Sequence, residues 1–172
     1  IIDKVKELGI YDNSIIVFTS DHGELMGAHD FRPWPKMAAY SESSNVPFLI
    51  SYPGIGNNAG KIAKAALTTP DILPSLLSLS NIDIPNTIEG YDLSGIIKSP
   101  DEDSERAALY MNIAPFGGMY KMDEYRAIRT NKYTYVKTPQ GASMLFDDEN
   151  DVYQMNNLVN RPDYADVQKK LD

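Results

Sequence analysis

Residues 15–19 form an unbroken apolar run, Ile15-Ile16-Val17-Phe18-Thr19, between the polar turn Tyr11-Asp12-Asn13 and the polar segment that starts at Ser20. A short β-branched run of this kind predicts a strand covered on both faces, as in a parallel sheet under helices. Residues 46–51 repeat the signal and end at Pro53-Gly54, which predicts a second buried strand. Ile1, Val5 and Leu8 recur at helical spacing before Gly9, so residues 1–8 read as an amphipathic helix. Lys36 to Glu42 reads as a short helix. Thr69-Pro70-Asp71 reads as a helix start, with Thr69 as cap, Pro70 in the first turn and Asp71 at the positive end of the dipole. Ile72, Leu73, Leu76, Leu77 and Leu79 then supply its buried face. Residues 81–103 read mostly as loop.

The period changes after Arg106. Residues 107–113, 125–130, 133–137 and 143–146 alternate as strands do, and Asn131-Lys132 sits where a tight hairpin turns. Antiparallel pairing is the economical arrangement, closed by a helix over 162–171. The fold class is therefore α/β over residues 1–105, followed by a small antiparallel sheet with a C-terminal helix over 106–172. Tyr120, Tyr125, Tyr133 and Tyr135 are expected to pack across these strands rather than to form a sugar platform. The acidic stretch Asp147-Asp148-Glu149-Asn150-Asp151 fails as an EF-hand loop, because Val152 stands where Gly is needed and Leu158 where the last Glu is needed. It is expected to be a solvated turn.

The net charge of −8 argues against nucleic acid and against an anionic membrane surface as partners. Cysteine is absent, which removes disulfides, Cys-based metal sites and a thiol nucleophile from these 172 residues. No run approaches the ~18 apolar residues needed to span a bilayer. The chain lacks an initiator Met and opens inside a helix with no cap before it. The expectation is the C-terminal part of a longer protein.

Chemistry concentrates just after the first strand. Asp21-His22 places a carboxylate beside an imidazole, and both are ligand types for divalent ions. The alternative is that Asp21 caps a loop and His22 bonds to backbone. His29, the second of two histidines, lies in the same loop, close to Glu24 and Asp30. Lys36 and Arg32 bring cations suited to an anionic group. Trp34, between Pro33 and Pro35, either lines a substrate pocket or anchors the loop.

The run Ser20-Asp21-His22-Gly23-Glu24, then Gly27-Ala28-His29, then Lys36-Met37, then Val46-Pro47-Phe48-Leu49-Ile50 resembles the second half of the sulfatase family, within the alkaline phosphatase-like superfamily. The lead-in Leu8-Gly9-Ile10-Tyr11-Asp12-Asn13-Ser14 is similar as well. So are Tyr52-Pro53-Gly54, Thr69-Pro70-Asp71-Ile72-Leu73-Pro74, Gly90-Tyr91-Asp92-Leu93, Arg126-Ala127-Ile128-Arg129-Thr130 and Asn156-Asn157-Leu158. The chain departs from the family at Asn45, where Arg often precedes Val-Pro, and at Ser41-Glu42-Ser43.

The resemblance implies that residues 1–105 are the C-terminal portion of the α/β catalytic domain and that 106–172 form a small β subdomain. It implies Asp21 and His22 as metal ligands, Lys36 as the catalytic and sulfate-binding cation, and His29 as a catalytic histidine near the substrate; Trp34, by its place in the loop, is the candidate further substrate contact. Calcium is the ion implied, with manganese or zinc as the alternative, since imidazole is atypical for calcium. The family's formylglycine nucleophile arises in a Cys/Ser-x-Pro-x-Arg motif, which these residues lack, and is expected upstream of this chain. The implied function is a sulfuric ester hydrolase acting on a sulfated small molecule or glycan, with the missing N-terminal half as an intramolecular partner. The alternatives are a phosphonate or phosphate ester hydrolase of the same superfamily, or a non-catalytic module. Alone, these residues are expected to be inactive and to self-associate through an uncovered strand.

Overall fold

The computed structural model describes residues 1–30, 36–101, 104–113 and 124–172. Helix α1 (Ile2–Glu7) buries no side chain and is held at its surface by the Lys4–Glu7 pair. Strand β1 (Ile16–Thr19) pairs with β2 (Phe48–Ser51) in a two-stranded sheet. The pairing is antiparallel, with Ile16 opposite Ser51 and Thr19 opposite Phe48. This corrects the expectation of a parallel, doubly covered strand: Phe18 is 65% exposed and Leu49 57% exposed. A β-branched run specifies an extended backbone but not the direction of its partner, and the long connection between β1 and β2 permits either.

Helix α2 (Ser41–Ser44) is shorter than expected and starts later. Helix α3 (Thr69–Leu79) begins one residue earlier than the sequence suggests, with Thr68 as its cap. Asp71 closes the capping box by accepting the Thr68 N–H at 2.7 Å. The same carboxylate, buried to 1% exposure, also accepts the Tyr91 N–H and pairs with Arg106 at 2.8 Å. Burial alone would raise the Asp71 carboxyl, but the bonds from Thr68 and Tyr91 and the Arg106 charge outweigh it and hold it below its usual value. Gly90 lies directly on this helix start, where a Cβ would fall 1.9 Å from the Pro70 carbonyl oxygen. A short helix α4 (Ser94–Lys98) interrupts the stretch expected to be loop.

The remaining strands, β3 (Ala108–Asn112), β4 (Tyr125–Arg129), β5 (Tyr133–Thr138) and β6 (Gly141–Asp147), form an antiparallel meander in chain order. Both faces are covered. Ala127 and Val136 pack under Ala39 on one face, joined by Tyr110, Tyr125 and Met144. Tyr135 and Leu145 pack with Leu158 on the other, joined by Val167 and Leu171 of helix α5 (Ala165–Leu171). The tyrosines pack as expected, Tyr125 meeting Tyr110 edge-on at 6.2 Å; Tyr120 lies outside the described residues. The turn after β6 is not simply solvated. Asp147 accepts the Glu149 and Asn150 amides, and the Asp148 side chain is 5% exposed. Short polar side chains bonding their own turn explain why the Asp147 and Asp148 side chains are buried while Glu149 and Asn150 stay exposed.

Candidate functional site

The site starts where β1 ends. Ser20 turns the chain by donating its hydroxyl to the His22 carbonyl at 2.8 Å. The Asp21 carboxylate accepts the His22 backbone N–H at 3.0 Å. That bond holds the Asp21 carboxyl below its ordinary value, against a small opposing effect of burial and with help from the His22 ring. His22 Nδ1 lies 2.7 Å from the Gly23 carbonyl. A carbonyl can only accept, so Nδ1 carries the proton and Nε2 keeps its lone pair, the tautomer a metal ligand requires.

Three sequence-designated residues converge at that lone pair. Asp21 Oδ2 lies 3.4 Å from His22 Nε2. Lys36 Nζ donates to the same nitrogen at 3.1 Å. Two donors 3.4 Å apart are spaced as adjacent ligands of one hard cation, which at calcium's bond lengths stand roughly 3.3–3.7 Å apart. Among the described residues no third His, Asp, Glu or Cys joins them to make a group of three. The chain thus places a carboxylate oxygen and an imidazole nitrogen, which could hold a cation, beside an exposed ammonium.

Gly23 is required for this arrangement. Its N–H donates to the Ser43 carbonyl at 2.8 Å, and a Cβ there would sit 1.9 Å from the Glu42 carbonyl oxygen. The loop therefore lies flush against α2. From the other direction, the Ser43 hydroxyl donates to the Lys36 carbonyl. Helix α2 thus touches the backbone on both sides of the site.

His29, expected near the substrate, is packed into the protein by its own contacts. Its side chain is 6% exposed, and Nε2 lies 3.3 Å from both carboxylate oxygens of Glu42. Its ring stacks on Tyr40 with centroids 3.7 Å apart. His29 and Asp30 both occupy the left-handed region, with φ of 55° and 58°. Non-glycine residues persist there only when surrounding contacts hold them. Glu42 is the partner that sequence reading missed; a lone acid in a short polar helix carries no spacing signal. Trp34 and Arg32 lie outside the described residues.

Residues 27–172 match the family model described as N-sulphoglucosamine sulphohydrolase, C-terminal. The chain is 54% identical over its full 172 residues to an ulvan-active sulfatase of Formosa agariphila, covering 34% of that protein. It is 34% identical over 174 aligned residues to an endo-4-O-sulfatase of Bacteroides thetaiotaomicron, with 92% of this chain and 34% of that protein covered. The chain therefore spans about a third of the length of the curated relatives it matches. A solved structure of an enzyme bound to its substrate D-glucosamine-2-N,6-O-disulfate superposes on 99% of this chain and 35% of its own, with a TM-score of 0.85 at 26% identity. The phosphonate monoester hydrolase of Agrobacterium radiobacter superposes on 98% of this chain and 35% of its own, with a TM-score of 0.76 at 26% identity.

Proposed function

This chain belongs to the N-sulphoglucosamine sulphohydrolase C-terminal family of sulfatases, and from that premise we propose that it supplies part of the active site of a sulfuric ester hydrolase acting on a sulfated carbohydrate. The observation that carries the reading is the meeting of Asp21, His22 and Lys36 within 3.4 Å, at the end of a strand. The relatives named for ulvan and for endo-4-O cleavage support a sulfated polysaccharide as the substrate class.

In this reading Asp21 and His22 would hold a divalent cation, with calcium preferred. When bound, that ion supplies positive charge against the nucleophile and the transferring group. Asp21 stays ionised because the His22 amide stabilises its carboxylate. His22 presents Nε2 because Gly23 fixes the proton on Nδ1. Lys36 brings three N–H donors on an exposed, flexible stem to the ester oxygens, where negative charge grows as the S–O bond breaks. His29 is held by Glu42 and Tyr40, so its contribution is to shape the loop between the metal pair and Lys36.

In this reading the nucleophile is not among these residues, which contain neither Cys nor a Ser-x-Pro-x-Arg motif. The chain alone is therefore expected to be inactive. The deciding experiment assays the longer protein with an aryl sulfate, an aryl phosphonate and a desulfation assay on sulfated oligosaccharides, with calcium or manganese added. Sulfate release lost in Asp21→Ala supports the reading. Faster phosphonate cleavage places the enzyme with the phosphonate hydrolases that share its scaffold. No turnover on any ester makes it a non-catalytic module.

A further inference from the structure

Helix α2 joins the site to the distant four-stranded sheet through a chain of buried polar groups. Gln154 is 2% exposed and sits in the left-handed region at φ 51°. Its Oε1 accepts the Ser41 N–H at 2.8 Å, across 113 residues of sequence. Its Nε2 donates to Asp148 Oδ1 at 2.7 Å. Asp148 Oδ2 accepts the Thr134 hydroxyl at 2.6 Å, and Thr134 is fully buried. Arg129 Nη1 donates to the Ser41 hydroxyl at 2.8 Å and to Thr134 Oγ1 at 3.3 Å. One residue earlier, Tyr40 meets Phe146 at 5.8 Å, and the Tyr110 hydroxyl donates to the Ala39 carbonyl at 2.8 Å.

Every member of this chain is oriented by another. The Gln154 amide accepts from Ser41 and donates to Asp148, so it fixes the entry of α2 relative to β5 and β6. From α2 three contacts lead to the site: Ser43 to Gly23, Ser43 to Lys36, and Glu42 to His29. Polar groups behind a catalytic constellation act by holding its geometry, and their loss commonly costs about 10–100-fold in activity or metal affinity.

We propose that Gln154, with Asp148 and Arg129 behind it, is the positioning residue of this site: it sets helix α2 and through it the placement of His22, His29 and Lys36. The proposal rests on the sulfatase reading for its catalytic consequence, but its structural content is independent of it. No part of the network touches the reacting atoms.

The test compares Gln154→Met with Ser75→Ala in the longer protein. Met keeps the length of the side chain and removes both polar contacts. Ser75 is equally buried, donating to the Asp71 carbonyl and accepting the Leu93 N–H, but its bonds lie within the α3 region. Two readouts are taken well below the melting temperature: amide exchange at Gly23, whose N–H is bonded to Ser43, and kcat and KM on a sulfate ester. Gln154→Met is expected to speed Gly23 exchange about tenfold, as for one lost hydrogen bond. It should lower kcat about 10–100-fold with KM changed far less. Ser75→Ala should lower the melting temperature without moving either. Gly23 exchange equal to wild type in Gln154→Met overturns the proposal, whatever the activity. A wild-type protein inert on every ester overturns the sulfatase reading and leaves the exchange result to decide this one. Should Gln154→Met fail to fold, Gln154→Asn keeps the amide at a left-handed position that Asn tolerates but shortens its reach to Ser41, and Gly23 exchange in that variant decides in the same way.

Discussion

Lys36 Nζ stands 3.1 Å from His22 Nε2, although 14 residues separate them in the chain. The ammonium faces the ring nitrogen proposed above to hold the cation. Lys36 is exposed, so its role is not to hold the fold.

Lys36→Ala in the longer protein is therefore expected to leave the melting temperature nearly unchanged. It should lower kcat on a sulfate ester by about 10²–10³-fold, the usual effect of removing one donor to a developing charge. Steady-state kinetics with a parallel thermal melt check this; normal turnover rejects the assignment.

Gly23→Ala and Gly90→Ala form a matched pair. Each Cβ would fall 1.9 Å from a backbone carbonyl oxygen, Glu42 in one case and Pro70 in the other. Both are expected to destabilise by about 1–3 kcal/mol through overpacking. Only Gly23→Ala displaces the loop that carries His22, so it alone should lower kcat in the fraction that remains folded. Denaturant melts combined with kinetics separate the two effects.

Asp71 contributes to acid stability. Its carboxyl is held below the usual value in the folded state, so its stabilisation is complete above about pH 4, the ordinary Asp value. The contribution is lost as the pH falls through the lower folded value. Asp71→Ala removes this dependence and leaves Arg106 without its buried partner, at a cost of about 3–5 kcal/mol. Urea melts of both proteins between pH 2 and 7 check the slope.

The alkaline limb belongs to tyrosines. Burial pushes the Tyr125 hydroxyl up to about 12. Burial, with the Asp172 carboxylate beside it, does the same for Tyr135. Burial raises Tyr110 further still. These raised values mean full stability below about pH 10, where a free tyrosine titrates, and loss as the pH climbs towards the folded values. An ultraviolet titration should show these phenols ionising late, together with unfolding; a single transition near the ordinary value for all of them would refute the burial assignment.

Much of the second half was legible in the sequence because its strands alternate. The predicted strands over 107–113, 125–130 and 133–137 match β3, β4 and β5 within a residue or two, since period-two patterning and the Asn131-Lys132 turn act locally. The direction of β1 was not legible, because continuous apolar runs look alike in parallel and antiparallel sheets. Among site residues, Asp21, His22 and Lys36 stood out by chemical type and by resemblance. Glu42, Gln154 and Asp148 did not, because their partners lie 13, 113 and 14 residues away and no local pattern encodes such pairings.

The bond between Ser41 and Gln154 has a consequence for the order of folding. Strands β3 to β6 pair with their immediate sequence neighbours, so the closures they need are short and their assembly should be early. The backbone at Gly23 and Lys36 packs on helix α2, whose bond to Gln154 closes 113 residues of chain. That pairing is then expected to be among the last to form. A molecule arrested just before that step would be compact, with its sheet complete, and with His22 and Lys36 not yet brought together.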